Sequence, residues 1–226
     1  MSEKEVEVAV VEFDLPLADR EVPLFRGAML HAAQGDSILF HDHVGEGFRY
    51  RYPLIQYKVM DGRAAVVCLD SGVEAMRRFF SEGKPDTVRI GQRMEPLRVH
   101  RVCHDTVRVG AVEEAQTYVI RRYLPLNQEN YEQYKRMDSI VERYAMIEKC
   151  LVGNILSLAK GLGVFLEQKV KVTLREVENE RIYRYKKVNM MGFDLQFKAN
   201  VLLPDHIGLG KGVSLGFGEI TLANKQ

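Results

Sequence analysis

Two histidines separated by one residue, His41 and His43, are followed by Tyr50 in a basic stretch. If this segment is extended, both imidazoles lie on one face, because side chains alternate along a strand. A histidine near its ordinary pKa of about 6.5 can accept a proton, while a second, protonated group assists a leaving oxygen. Guanidinium groups such as those of Arg49 and Arg51 can stabilise the charge that develops on a phosphate. This set suits RNA cleavage through the ribose 2′-hydroxyl, without a metal.

Two other interpretations of the histidine pair remain open. A metal site would need a third ligand such as His31 or Asp36, and the spacing matches no known zinc motif. Alternatively, both histidines lie in a loop and have no role. We expect no metal and no other cofactor. His31 is expected to be half-buried on a helix, and three further histidines are expected at the surface or in turns, namely His100, His104 and His206.

A glycine-rich run spans residues 208–218 near the C terminus. Glycine allows backbone N–H groups to form a concave nest and to approach a phosphate closely, and Lys211 adds a positive charge. The run lacks the Gly-Lys-Ser/Thr ending of a Walker loop and the long following helix of a Rossmann fingerprint. It predicts contacts with a polyanion, and its alternative is a plain turn between two late strands. The predicted RNA-binding residues are Arg49, Arg51, Gly208, Gly210, Lys211, Gly212, Ser214, Gly216 and Gly218.

Composition restricts the class of protein. The 226 residues are 46% apolar, which is enough for a packed core without disulfides, and the three cysteines are odd in number. The acidic N terminus and the lack of an apolar run of about 18 residues argue against a signal peptide or a membrane span. We therefore expect a cytoplasmic protein. Because the net charge is only +1, any nucleic-acid surface must come from local basic clusters, such as Arg121 with Arg122, or Arg181, Arg184, Lys186 and Lys187.

The hydrophobic pattern predicts an element order for the first half of the chain. Alternating Glu and Val residues at 5–10 indicate a strand, and apolar spacing from Pro23 onward indicates a helix. A hairpin with its turn at Asp61-Gly62, a second helix at 73–80 and strands at 87–90 and 97–102 follow. The order strand, helix, hairpin, helix, strand is the split βαβ, ferredoxin-like arrangement.

The second half predicts a similar order with less regularity. A strand at 117–126 precedes a helical stretch at 131–162, which we expect to break near Gly153-Asn154. Three strands are expected at 170–177, 182–188 and 193–203, with an acidic turn at 178–180, and a short strand at 219–222 closes the chain. The fold class is therefore α+β, with two tandem ferredoxin-like (RAMP/RRM-like) domains and antiparallel sheets. Their predicted limits are residues 1–112 and 113–226.

With both motifs in view, the chain resembles the CRISPR-associated repeat-RNA endoribonucleases of the sixth Cas family, in the RAMP superfamily. The most specific resemblance is the glycine run with its Gly-x-Gly and Gly-Phe-Gly form. The other similar segments are Phe25-Arg26-Gly27, the histidine pair, residues 50–58 and residues 126–160. The resemblance implies two ferredoxin-like domains and metal-independent cutting of a precursor transcript at each repeat, leaving a 2′,3′-cyclic phosphate.

Residue roles follow from the same resemblance. It implies that His43 is the general base, that His41 assists, and that Tyr50 orients the ribose or phosphate. A lysine that assists catalysis in some members has no counterpart after the first helix, and Arg49 or Arg51 could replace it. The implied partners are CRISPR repeat RNA and subunits of a CRISPR effector complex, with the chain as a monomer or a homodimer. A non-catalytic RAMP-fold RNA-binding subunit and a metal-dependent nuclease remain as alternative functions.

Overall fold

The computed structural model describes residues 3–33, 52–82 and 85–223. Nine strands lie within these ranges, and every strand pair whose register is defined is antiparallel. The strands are β1 (Lys4–Pro16), β2 (Ile55–Met60), β3 (Arg63–Leu69), β4 (Thr87–Ile90), β5 (Arg93–Pro96), β6 (Val99–Tyr123), β7 (Val172–Tyr185), β8 (Val188–Leu202) and β9 (Glu219–Leu222). The α-helices of the described residues are α1 (Val22–Ala32), α2 (Ser71–Ser81), α3 (Gln128–Arg136) and α4 (Ile140–Gly161).

The chain divides into two compact units. The N-terminal unit comprises residues 5–107 and 214–216, and the C-terminal unit comprises residues 1–4, 108–213 and 217–226. Strand β6 contributes its first residues to the N-terminal unit and its remainder to the C-terminal unit. The predicted boundary between residues 112 and 113 stays a prediction about where independently folding domains would separate.

The sheet of the N-terminal unit has the strand order β2-β3-β1-β6. Its core consists of one face of these strands and the apolar faces of α1 and α2. Aromatic rings order its centre, because Phe13 and Tyr57 each pack edge to face against Phe25 with ring centroids 5.8 Å apart. The hairpin turn at Asp61-Gly62 is as predicted, since both residues have left-handed φ angles of 47° and 74°. The strand order is that of a ferredoxin-like sheet.

The sheet of the C-terminal unit has the equivalent order β9-β6-β8-β7. Helix α4 buries a stripe of apolar residues at helical spacing, namely Ile147, Leu151, Ile155 and Leu158. The hydroxyl of Tyr118 joins β6 to the end of β8, because it donates to the carbonyl of Val201 (3.0 Å) and accepts from the N–H of Leu203 (3.1 Å). Burial raises the pKa of this phenol to about 12. The two units confirm the predicted α+β fold with two ferredoxin-like halves and antiparallel sheets.

The predicted break in the helical stretch was wrong in position. The chain leaves the helix at Met137, whose φ and ψ of −77° and 122° are extended, and α4 continues through Gly153 and Asn154. A glycine inside a helix costs only about 1 kcal/mol relative to alanine, and the buried stripe of α4 continues on both sides of Gly153. Asn154 is half-buried, and its Oδ1 accepts a 2.6 Å hydrogen bond from the hydroxyl of Tyr123.

Two strands predicted on either side of an acidic turn form a single strand, β7. The acidic residues have partners on strand β6 and on helix α3, which removes the need for a solvated turn. Glu178 pairs with Arg121, and Glu180 accepts a 2.8 Å hydrogen bond from the hydroxyl of Tyr134. The turn that joins β7 to β8 is Lys186-Lys187, where both residues have left-handed φ angles of 45° and 67°.

The strands predicted at 97–102 and 117–126 are also one element, β6. Gly110 does not end the strand, because its missing Cβ admits a close approach: an added Cβ would lie 2.9 Å from the Cα of Glu3. The short strand β5, which pairs with β4, was not predicted from the sequence.

Candidate nucleic-acid interface

The predicted catalytic residues His41, His43 and Tyr50 lie outside the described residues, as do Arg49 and Arg51. Their roles stay predictions. Of the suggested third metal ligands, His31 is exposed on α1 rather than half-buried, and Asp36 lies outside the described residues. Residues 3–33, 52–82 and 85–223 contain no group of three or more His, Cys, Asp or Glu side chains arranged to hold a metal ion. The histidine pair is not among them, so the metal alternative remains open.

The glycine run at 208–218 connects β8 to β9 and is held by backbone hydrogen bonds, two within the run and two to the carbonyl oxygens of Arg122 and Leu124. Four of its N–H groups donate to carbonyl oxygens at distances of 2.8–3.3 Å, those of Leu209, Lys211, Phe217 and Gly218. In this conformation these four groups are therefore not available to a phosphate. The predicted RNA-binding role of the run's residues stays a prediction, and it now depends on the groups that solvent can reach.

Close packing explains three of the glycines in the C-terminal unit. An added Cβ would lie 2.8 Å from Val213 at Gly208, 2.9 Å from the rings of Phe217 and Tyr185 at Gly212, and 1.9 Å from the carbonyl oxygen of Leu209 at Gly218. Gly212 and Gly218 also have left-handed φ angles of 74° and 67°. All three are buried, so they shape the loop rather than contact a ligand directly.

The solvent-accessible part of the run is its first bend. Gly210 and Lys211 are half-exposed, and Gly210 has a left-handed φ of 87° above the ring of Tyr123. Partial burial lowers the pKa of the Lys211 ammonium group, because a charge is less well solvated there. A phosphate at this bend would offset that loss of solvation, and this is the chemistry predicted for Lys211.

The second bend of the run, at residues 214–216, belongs to the N-terminal unit. Ser214 is half-exposed, while Gly216 is buried with a left-handed φ of 79°. An added Cβ at Gly216 would lie 3.2 Å from the carbonyl oxygen of Tyr57 and 3.6 Å from the Cα of Lys58. The backbone of this bend therefore lies directly against the edge strand β2.

Arg122 is a cation beside the run that the sequence prediction did not assign to the site. Its left-handed φ of 53° breaks the regular path at the end of β6, and its N–H donates to Asp194 over 2.7 Å. The guanidinium carbon lies 4.5 Å from the ring centroid of Phe217 and 5.7 Å from that of Tyr183. Such stacking fixes the plane of the guanidinium beside the two rings.

The tip of the β7–β8 hairpin, residues 184–187, lies next to the same cluster. Tyr185 packs edge to face on Phe217 with centroids 5.8 Å apart, and it borders Gly212 of the run. Lys186 places its Nζ 5.5 Å from the Tyr185 ring centroid, and both Lys186 and Lys187 are exposed. The structure thus brings the tip of the predicted basic cluster at 181–187 next to the glycine run.

Arg122, Tyr183, Tyr185, Phe217 and the two lysines form what we name the Arg122 surface. It combines aromatic rings with cations, the combination that binds single-stranded nucleic acid by stacking and by phosphate attraction. The basic pair Arg121-Arg122 and the basic cluster at 181–187 were the available sequence signals. Nothing in the order of residues indicated that Arg122 and Phe217, distant in sequence, would lie beside that cluster.

None of the helices among the described residues is long and apolar enough to cross a membrane.

His206, predicted in a turn, has a left-handed φ of 65°, and its Nδ1 lies 2.8 Å from a carboxylate oxygen of Glu219.

Two crystal structures of Cas6b and one protein of Methanocaldococcus jannaschii are similar to this chain. A crystal structure of Cas6b is similar over 97% of this chain and 100% of its own, with a TM-score of 0.85 and 29% identity. A crystal structure of the CRISPR RNA processing endoribonuclease Cas6b covers the same shares, with a TM-score of 0.73 and 26% identity. An uncharacterized protein of Methanocaldococcus jannaschii is 36% identical over 128 residues, which is 54% of this chain and 86% of that protein.

Two family models match in tandem. The Cas6b N-terminal domain matches residues 4–108, and the Cas6b C-terminal domain matches residues 110–223. These matches cover both ferredoxin-like halves, the glycine run and the Arg122 surface, and they include the segment that holds the histidine pair. The chain therefore belongs to the Cas6b family.

Proposed function

We propose that this chain is an endoribonuclease that cuts CRISPR precursor transcripts within the repeat to release mature guide RNA. The observation that carries the proposal is the tandem match of both Cas6b domains over residues 4–223. A second support is the similarity, at 26% identity over nearly the whole chain, to a CRISPR RNA processing endoribonuclease. The partner of the protein is then CRISPR repeat RNA, and subunits of an effector complex are further candidate partners.

The proposed chemistry needs no metal. His43 removes the proton of the ribose 2′-hydroxyl at the cut site, and the 2′-oxygen attacks the adjacent phosphorus. The bond from phosphorus to the 5′-oxygen breaks, and a protonated group, with His41 as the candidate, supplies a proton to that oxygen. The products are a 2′,3′-cyclic phosphate and a free 5′-hydroxyl. Tyr50 orients the ribose or phosphate, and Arg49 or Arg51 stabilises the charged intermediate.

The Arg122 surface and the half-exposed bend at Gly210-Lys211 hold the strand in this proposal. The guanidinium of Arg122 and the ammonium groups of Lys186, Lys187 and Lys211 supply phosphate contacts. Such contacts position the backbone and carry no sequence information. Tyr185 offers a ring on which an unpaired base can stack, which is how RNA is usually read in single-stranded form.

We expect the protein to cut repeat RNA in excess EDTA and to leave uncut the same RNA with a 2′-deoxy sugar at the cut site. The reason is that the attacking nucleophile is the 2′-hydroxyl and no ion takes part. Denaturing gels of both substrates, followed by phosphatase treatment to detect the cyclic end, measure this.

Each alternative function predicts a different pattern of RNA cleavage on these gels. A non-catalytic RNA-binding subunit would bind both RNAs and cut neither. A metal-dependent nuclease centred on the histidine pair would lose activity in EDTA and regain it with added divalent ions. Cutting of the 2′-deoxy RNA would contradict the proposed nucleophile directly.

Replacing both hairpin lysines by glutamine, Lys186→Gln with Lys187→Gln, is expected to weaken repeat-RNA binding and to flatten its salt dependence. Each lost phosphate contact on a single strand lowers the slope of log affinity against log salt by about 0.7. The expected change in slope is therefore about 1.4, from fluorescence anisotropy at several salt concentrations. Arg175→Gln, an exposed cation elsewhere on β7, serves as the control. An unchanged slope in the double variant would remove the hairpin tip from the RNA surface.

A further inference from the structure

The first part of β6, residues 99–107, is the last strand in the sheet of the N-terminal unit. On one side it pairs with β1, and Arg101 confirms the alignment by donating to a carboxylate oxygen of Glu12 over 2.9 and 2.5 Å. Among the residues that the structure describes, no strand pairs with its other side. The pairing of β6 with β8 and β9 begins only at Gly110 and Tyr118. This segment therefore presents a row of backbone N–H and C=O groups that no strand within residues 3–33, 52–82 and 85–223 covers.

Proteins usually protect such an edge with a proline, a covering loop or lysines that point across it. This edge has no proline and no lysine between residues 99 and 107. Its side chains are nearly all exposed, including Val99 at 39% and Val102 at 56%. An uncovered strand of this length with exposed valines is a template for pairing with another strand.

The sequence of the edge is complementary to itself when read in the opposite direction. About Cys103, the residues at two positions on either side are Arg101 and Asp105, and those at four positions are Val99 and Val107. If two copies pair antiparallel about a two-fold axis at Cys103, each Arg101 lies opposite Asp105 of the second copy. Each Val99 then lies opposite Val107. Opposite charges and branched apolar side chains are favourable cross-strand pairs.

Backbone hydrogen bonding restricts the registers in which two copies of this strand can pair. Backbone polar groups alternate between the two sides of a strand, so two identical antiparallel strands must be centred on a residue and not between two residues. Centring on Val102 would place Arg101 opposite Cys103 and His100 opposite His104. Centring on His104 would place Arg101 opposite Val107 and Cys103 opposite Asp105. Only the centre at Cys103, among these three, joins each arginine to an aspartate.

We propose that the uncovered edge of β6 is an interface between two copies of this chain, paired antiparallel with Cys103 at the centre. The proposal does not rest on the proposed function. A C₂ interface of this kind is isologous, so one patch supplies both halves of the contact. Arg101 bridges two carboxylates there, Glu12 of its own chain and Asp105 of the second copy.

Cys103 provides the test, because directly opposite Cα atoms in an antiparallel pair lie about 4.5–5.5 Å apart, within the range that a disulfide spans. Cys68 is buried and Cys150 is half-buried, whereas Cys103 is exposed. Mild oxidation of the full chain is expected to give a disulfide-linked dimer on non-reducing gels, and Cys103→Ser is expected to abolish it. Light scattering after gel filtration should still show the dimer for Cys103→Ser, since serine fits the same position.

Two variants test the register. In the Cys103→Ser background, Val102→Cys is expected to cross-link at least about tenfold more slowly than wild type, because residue 102 lies opposite residue 104 of the second copy. Asp105→Arg is expected to weaken dimerisation at least about tenfold, since two favourable charge pairs become repulsive. Circular dichroism and thermal unfolding establish that each variant is folded. A chain that is monomeric at all concentrations, equal cross-linking at positions 102 and 103, or a dimer unaffected by Asp105→Arg would overturn the proposal.

Discussion

Replacing His43 by alanine is expected to slow cleavage of repeat RNA at least about a hundredfold while leaving RNA affinity nearly unchanged. General-base catalysis contributes about 10²–10⁴ in rate, and an imidazole that only moves a proton adds little to binding. Single-turnover cleavage with enzyme in excess measures the chemical step, and fluorescence anisotropy on 2′-deoxy RNA measures binding without cutting. The split between the two readouts distinguishes a general base from a residue that merely holds RNA.

His31→Ala is a matched control for this experiment, because His31 is an exposed histidine on α1 and has no role in the proposed chemistry. It should cut at the wild-type rate. His41→Ala is expected to slow cutting too, and the pH dependence of its rate should lose one of the two limbs that an acid and a base produce together. Wild-type cutting by His43→Ala, or a parallel loss of binding and rate, would contradict the assignment.

Gly218→Ala is expected to cost about 3 kcal/mol of folding free energy or more, the largest stability effect we predict. Two separate penalties act at this residue. Its left-handed φ of 67° is strained by about 1–2 kcal/mol for an alanine. An added Cβ would also lie 1.9 Å from the carbonyl oxygen of Leu209, so the bend must open and disturb the Leu209 N–H to Gly218 hydrogen bond. Urea unfolding followed by circular dichroism gives the free energy.

Gly163→Ala separates the two penalties. Gly163 has almost the same φ, 66°, but its Cβ position has no neighbour within 4 Å, so only the backbone strain remains. We expect this variant to lose about 1 kcal/mol. If both variants lost the same free energy of unfolding, close packing would not be the reason for glycine at 218, and its left-handed backbone alone would explain that residue.

The sequence predicted the ferredoxin-like order because local patterns determine it. Alternation in β1 and the Asp61-Gly62 turn are signals that a few neighbouring residues carry, and both predictions were confirmed. The break near Gly153 was predicted wrongly, since a glycine inside a helix weakens it without ending it. The acidic turn was predicted wrongly because Glu178 and Glu180 are satisfied by Arg121 and Tyr134, partners that tertiary structure supplies.

The candidate site likewise contains features that the sequence predicted and features that it could not predict. The glycine run was recognised from composition, but sequence alone does not tell a glycine that faces a ligand from one that faces a tyrosine ring. The sequence named Arg122 in a basic pair with Arg121, but it could not place Arg122 beside Phe217, because that position depends on the register of β6 with β8 and on the course of the run. The histidine pair rests on residue type, spacing and family resemblance.

The Lys186-Lys187 turn has a consequence for engineering. Both lysines occupy left-handed conformations of a kind that asparagine and glycine adopt more easily, so Asn-Gly at these positions would relax the hairpin. A selection for heat resistance alone would therefore favour the loss of these two lysines among its first changes. Such variants would unfold at a higher temperature but would bind RNA more weakly. At this turn, thermostability and activity therefore compete.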